Sequence, residues 1–234
     1  MVTLDIPTEN AERSPKRMTT TEEIFLQLKA DIISLKLAPG SKISEAEVAK
    51  ARDVSRQPVR EAFLRLSELH LLQITPQKAT RICKISHDKL RNTRFLRAAV
   101  EVEVVRVACQ EATEDTLAPL AENLELQSVA VKARDTKSLQ KLDFQFHRLI
   151  CYAANCLPAF QTIAENRTHT DRVCTLELSD TSGMEEVLEG HTAIYDAIRA
   201  GNEEVAVAVT RHHLRHLDGT LARAFERHPE FFAD

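Results

Sequence analysis

Apolar residues recur every three or four positions from Thr21 to Leu35, with Ile24, Leu28, Ile32 and Leu35 on one face, which predicts a first amphipathic helix. Ser44 stands three residues before Glu47, a capping-box spacing that predicts a short second helix through Val48 and Ala49, ending near Arg52 and Asp53. Val54 is expected to bury the turn that follows. Ser55 is expected to cap a third helix, with Pro58 in its first turn and Val59, Phe63, Leu66 and Leu69 on its apolar face. After Leu72 the period changes to two: Gln73-Ile74-Thr75 and Thr80-Arg81-Ile82 flank Pro76 to Ala79, a two-stranded wing with Lys78 near its tip. From His87 onward the pattern is helical throughout, with helices predicted at 87–112, 114–133, 136–154, 157–178, 184–200 and 202–227. Leu90, Phe95, Leu96, Val100, Val104, Val107, Leu117, Leu120, Leu124, Val129 and Val131 are its expected core positions. The fold class is mainly α: three helices with a two-stranded wing, then an antiparallel all-α bundle of about six helices.

A chain of 234 residues with 43% hydrophobic content can bury two cores. The expected division is a flexible arm at 1–18, a first domain at 19–85, a second at 86–228 and a tail at 229–234. The connection, about Cys83 to Ser86, is short enough to restrict the relative orientation of the domains. Charge divides with them. Thr19 to Ile82 holds ten Lys/Arg against eight acids, whereas the chain from Cys83 onward holds 18 basic and 24 acidic residues. A polyanionic partner therefore belongs to the N-terminal part, and so small a positive excess suggests that two copies act together. The five cysteines form no C-x-x-C pair and read as reduced thiols. No apolar run reaches membrane-spanning length, and the polar start lacks a signal-peptide core, so a cytoplasmic protein without a membrane partner is expected.

Two groups of residues carry chemistry. Ser55, Arg56, Gln57 and Arg60 lie at the start of the third helix, opposite its apolar face, where such a helix enters a DNA major groove. Arginine there can pair bidentately with guanine or hold phosphate, and Lys78 on the wing can lie along the backbone. In the bundle, Asp143 and His147 are four apart and share a helix face, His191 starts a later helix, and Arg211-His212-His213 places two further imidazoles on the last. One carboxylate with imidazoles suits zinc first, with nickel or manganese as alternatives, and leaves coordination positions open.

The residues Ala38-Pro39-Gly40, Ile43-Ser44-Glu45 and Val54-Ser55-Arg56-Gln57-Pro58-Val59-Arg60-Glu61-Ala62-Phe63, in that order, resemble the winged helix-turn-helix of the GntR family of bacterial transcription regulators over about Thr21 to Ile85. The resemblance implies that Arg56 and Arg60 face double-stranded DNA, supported by Ser55, Gln57 and Lys78. Two glycines common in that family are absent here, with His70 before the wing strand and Gln77 or Ala79 at the wing tip. Asp143 to His147, Glu189 to Ile198 followed by Ala200-Gly201-Asn202, and Val209 to Leu214 resemble the FCD effector-binding domain of the FadR subgroup over about His87 to Phe225. That resemblance implies a metal held by Asp143, His147, His191 and His213, with His213 preferred over His212 for its place before Leu214. Gly190 departs from the usual Glu-His pair. Arg97 resembles an arginine that faces the cavity, and Asn166 and Arg172 are further candidates for its polar lining; an intrahelical pair of Arg97 with Glu101 is the competing reading.

The expected function is a homodimeric, metabolite-responsive repressor on an inverted-repeat operator, with a small organic or sugar acid as effector. It is not expected to be an enzyme. Asp with three His can also serve a metal-dependent hydrolase or lyase, but no nucleophile or separate general base accompanies them. A purely structural ion is the third reading.

Overall fold

The computed structural model describes residues 18–75, 77–177, 183–215 and 217–233, and the arm expected at 1–18 lies outside the described residues except for Met18. The chain divides into two compact units, one through Lys84 and one from Ile85.

The first unit contains α1 (Thr20–Ile33), α2 (Glu45–Ala51), α3 (Arg56–Glu68), β1 (Leu72–Gln73) and β2 (Arg81–Ile82). Ile24, Leu28 and Ile32 of α1 meet Val59, Ala62, Phe63 and Leu66 of α3, and Leu71, Leu72 and Ile82 close the core beneath the wing. The strands pair antiparallel, Leu72 with Ile82 and Gln73 with Arg81. Ile43 N–H donates to Thr80 and Ile82 N–H to Ser41, so the second wing strand is held on both sides. The turn between α2 and α3 is fixed by Asp53 at φ 51°, with the Asp53 and Val54 amides capping the carbonyls of Lys50 and Ala49. Both positions where glycine was missed are left-handed, His70 at φ 55° and Gln77 at φ 60°. The wing thus keeps its turns and carries the strain of doing so without glycine.

Neither expected serine cap forms. Ser44 and Ser55 occupy N-cap positions without a side-chain cap bond, so the capping box read at Ser44 and Glu47 is absent. For Ser55 the cause is local: Pro58 sits third in α3 and has no N–H to donate.

The second unit contains α4 (His87–Glu111), α5 (Glu114–Lys132), α6 (Thr136–Ala153), α7 (Ala159–Leu176), α8 (Met184–Arg199), α9 (Glu203–Arg215) and α10 (Leu217–Arg227). The last predicted helix is thus two helical segments flanking residue 216, which is not described. Helix α4 packs against α6, α7, α8 and α9, while α5 pairs with α6 and α8 with α9. Its buried stripe is Leu90, Thr93, Arg97, Glu101, Val104, Val105 and Ala108. Phe95 and Leu96, expected in the core, lie on the outside instead, 73% and 49% exposed, as does Val129 of α5 at 63%. The inward face of α4 is occupied by a buried ion pair, and a helix cannot turn that stripe and Phe95 inward together. Residues 229–233, expected as a tail, return to the start of the unit: Ile85 N–H donates to Phe231, Ala233 N–H donates to Ile85, and Phe232 is buried. Among the described residues no helix is long and apolar enough to cross a membrane.

Candidate DNA-binding face and metal centre

In the first unit, α3 buries Val59, Ala62, Phe63 and Leu66, which turns Arg56, Gln57 and Arg60 outward beside Ser55. All four are exposed. Among the described residues neither Arg56 nor Arg60 has an acidic partner, whereas Gln57 donates to Glu61 Oε1 at 2.9 Å. Two unneutralised guanidinium groups at a helix N-terminus, beside backbone N–H groups with no intrahelical partner, form a surface for a polyanion. Lys78 is exposed at the wing turn, its N–H bonded to the Thr75 carbonyl at 3.1 Å.

In the second unit, Asp143 and His147 of α6, His191 of α8 and His213 of α9 converge: one ligand atom from each lies within 4.8 Å of the others. The three imidazoles are buried. Their orientation comes from a surrounding layer of polar side chains. Leu142 offers a backbone carbonyl, which can only accept, so Asn123 turns its amide NH2 toward it at 3.2 Å. The Asn123 carbonyl then accepts from Gln127 Nε2 at 2.7 Å, and the Gln127 carbonyl, 2.7 Å from His191 Nδ1, requires that nitrogen to donate. His191 Nε2 is left as a buried lone pair without a hydrogen-bond partner, 3.4 Å from Asp143 Oδ1. Two acceptors face one another there, an arrangement that a cation between them satisfies.

His147 is oriented in the same way by a different partner. Its Nδ1 lies 2.6 Å from Glu101 Oε2, and Arg97 Nη2 donates to Nε2 at 3.0 Å. Arg97 Nε also donates to Glu101, so Arg97 makes the intrahelical pair and touches the cluster. Asp143 is held by Arg167, whose Nη2 donates to Oδ2 at 2.5 Å while its Nε donates to Asp171. Phe146 stacks on His191 with ring centroids 4.2 Å apart.

These contacts set the protonation states. Burial raises the pKa of Asp143, but Arg167 and then His147 and His191 outweigh it and hold the carboxyl well below the usual range. Burial likewise opposes ionisation of Glu101, and Arg97 and His147 reverse it. Burial depresses His191, and it depresses His213 further with the help of His191 and His147, so both rings stay neutral and ready to ligate. His147 moves the other way, because Glu101 and Asp143 overcome its burial.

All four residues of the expected ligand set are together. His212 is exposed on the other side of α9, and His216 lies outside the described residues. Of the polar lining expected on α7, Asn166 spends its amide on the Thr162 carbonyl of its own helix, and Arg172 is wholly buried. Arg167 of α7, which sequence reasoning missed together with Asn123 and Gln127, holds Asp143. Asn123 and Gln127 did leave a trace, two amides four apart facing inward on α5.

A winged helix-turn-helix with bare arginines on its recognition helix, joined in one chain to a helical unit with a buried histidine cluster, has the architecture of a DNA-binding regulator. Residues 20–82 match the family model for bacterial regulatory proteins of the gntR family, and residues 93–216 match the FCD domain. The chain belongs to the GntR family of transcription regulators and carries an FCD domain. It is 32% identical over 213 residues to the HTH-type transcriptional repressor RspR of Escherichia coli, covering 91% of this chain and 93% of the relative. It is 29% identical over 215 residues to an HTH-type transcriptional regulator in an unstable DNA locus of Streptomyces ambofaciens, covering 92% and 90%. Among solved structures, E. coli McbR/YncC shares the fold, with a TM-score of 0.77, 20% identity and coverage of 89% of this chain and 99% of that one. The family and these relatives are regulators, not enzymes, so the hydrolase or lyase reading falls.

Proposed function

We propose that this regulator is a repressor that binds an inverted-repeat operator as a homodimer, in the manner of the FadR subgroup, and senses a small organic or sugar acid at a metal held by Asp143, His147, His191 and His213. The observation that carries the reading is the bare, buried His191 Nε2 facing the Asp143 carboxylate at 3.4 Å. One carboxylate and three imidazole nitrogens are a donor set for zinc, with nickel and manganese next. An ion held there would supply Lewis acidity for an effector carboxylate. Arg97, buried against His147 Nε2, would offer its guanidinium to that same carboxylate. Arg172 and Asn166 are the further lining candidates from α7. On the DNA side, Arg56 and Arg60 read or hold the operator, with Ser55, Gln57 and Lys78 in support. The repressor name of the E. coli relative favours repression over activation.

Chelator-treated protein titrated with zinc against a chromogenic competitor is expected to bind one ion per chain, and Asp143→Asn to weaken it. Fluorescence anisotropy on an operator fragment, with a panel of small carboxylic and sugar acids, is expected to find an acid that releases the metal-loaded protein only. Zinc that stabilises the protein while no acid alters operator binding would leave the ion structural and overturn the sensing role.

A further inference from the structure

We infer that Gly190 is a positioning residue for the metal centre: its bare α carbon seats the imidazole of His213, the one ligand ring that no hydrogen bond orients among the described residues. The inference rests on the metal reading above. His147 is fixed through Nδ1 by Glu101 and His191 through Nδ1 by Gln127, whereas His213 has no hydrogen-bond partner among the described residues. Packing holds it instead. A Cβ built on Gly190 would lie 2.7 Å from His213 Nδ1, 3.4 Å from its Cγ and 3.5 Å from its Cβ. The first distance is far inside van der Waals contact, where attraction is best at about 3.5–4.0 Å. The ring has little room to yield, because it is buried and lies 4.5 Å from the ring of His191 and 5.6 Å from that of His147.

The contact explains why glycine stands in the middle of a helix. Glycine is a poor helix former, and it is most often needed for a left-handed backbone. Of the glycines, only Gly40 and Gly201 have positive φ, so Gly190 supplies space and not conformation. For Gly40, Gly201 and Gly219 the nearest atom to a built Cβ is 3.3 Å or more away. Of these glycines, Gly190 is the one that sets the backbone of one helix against a histidine of the next. The Nδ1 edge of His213 faces Gly190, which leaves Nε2 on the opposite edge of the ring. A side chain at 190 must swing the ring or part α8 from α9, and either motion shifts the ligand atom.

The test is a double-mutant cycle in zinc affinity, measured by chelator competition on the full chain for wild type, Gly190→Ala, His213→Ala and the double variant. Cobalt absorption reads the coordination sphere, and thermal melts of the chelated proteins read folding. Gly190→Ala is expected to weaken zinc about 10- to 100-fold, the size of losing an outer-shell support. Its cobalt spectrum should move toward that of His213→Ala. In the His213→Ala background the same glycine change should alter zinc affinity by less than about twofold, since the residue acts only through that ring. There the chelated protein should also melt higher, because alanine is the better helix former once the obstacle is gone. If Gly190→Ala alone does not melt cooperatively, recovery of the melt in the double variant places the collision at the imidazole; no recovery overturns the inference. Wild-type zinc affinity in Gly190→Ala, or an equal loss with and without His213, overturns it as well. A wild-type protein that binds no zinc overturns the metal reading and this inference with it.

Discussion

Replacing Gln127 with leucine removes the carbonyl that fixes the tautomer of His191 and leaves the volume nearly filled. Two buried groups lose their partners, the His191 Nδ1–H and the Asn123 carbonyl. At about 1–3 kcal/mol for each unsatisfied buried group, the static cost is roughly 2–6 kcal/mol. His191 can recover part of it by moving its proton to Nε2, where Asp143 Oδ1 stands 3.4 Å away to accept. The chelated variant should therefore lose less stability than the static sum, about 1–3 kcal/mol for Asn123 alone. Metal binding must then reverse the tautomer, and zinc affinity should fall about 10- to 100-fold, or roughly 1.4–2.7 kcal/mol. Chelator competition measures the affinity, and long-range nitrogen–proton NMR correlations of the imidazole read the tautomer. Wild-type zinc affinity in Gln127→Leu, or an Nδ1–H tautomer that persists in the chelated variant, would refute the reasoning.

Arg60→Ala should cost about 1–3 kcal/mol in operator affinity if the guanidinium reads a base, with zinc stoichiometry intact; anisotropy titrations that match wild type remove Arg60 from the interface. Because His147 is raised, its proton competes with metal at a pH above the ordinary histidine value of about 6.5, and zinc affinity should already be falling there as pH is lowered. A titration flat from pH 8 down to about 6.5 would contradict this. His191 and His213 are depressed, so below about pH 6.5 the unfolded chain takes up protons that the folded chain refuses, and chelated protein should lose up to about 2.7 kcal/mol of stability per pH unit from the two rings. His147 acts with the opposite sign: its contribution is complete below about pH 6.5 and is lost as pH rises through its raised folded value. Urea melts across that range check both signs. Phe63→Ala should destabilise the winged unit by about 3–5 kcal/mol, since Phe63 is wholly buried between α1 and the wing; a denaturation midpoint that stays put would misplace that core.

The elements were legible because a helix repeats every 3.6 residues and a strand every two, and those periods survive in Ile24, Leu28 and Ile32 and across the wing. The clustering of Asp143, His147, His191 and His213 was legible from one intrahelical spacing, Asp143 to His147, and from the resemblance of three short segments. The layer around it was not. Glu101 and His147 are joined across separate helices, and Gln127 and His191 stand 64 residues apart, a pairing that no local period encodes. One residue of helix is a rotation of about 100°, and Arg167, one position beyond Asn166, is the residue that reaches Asp143 from α7. Phe95 failed for the opposite reason. Its apolarity invited burial, but α4 spends its inward stripe on Arg97 and Glu101, and hydrophobicity alone does not reveal that a buried stripe is polar.

The Leu142 carbonyl and the Asp143 carboxylate belong to neighbouring residues of α6, and they approach His191 by two routes, one through the hydrogen bonds of Asn123 and Gln127 of α5 and one across the unbonded 3.4 Å between Asp143 Oδ1 and His191 Nε2. The loop is closed. A pull on the Asp143 carboxylate also pulls the adjoining carbonyl, and the amide chain carries that displacement round to the far side of the same imidazole. Closed in that way, the circuit would be complete only with α5, α6 and α8 all in register, and whatever loosened one of them would open it everywhere.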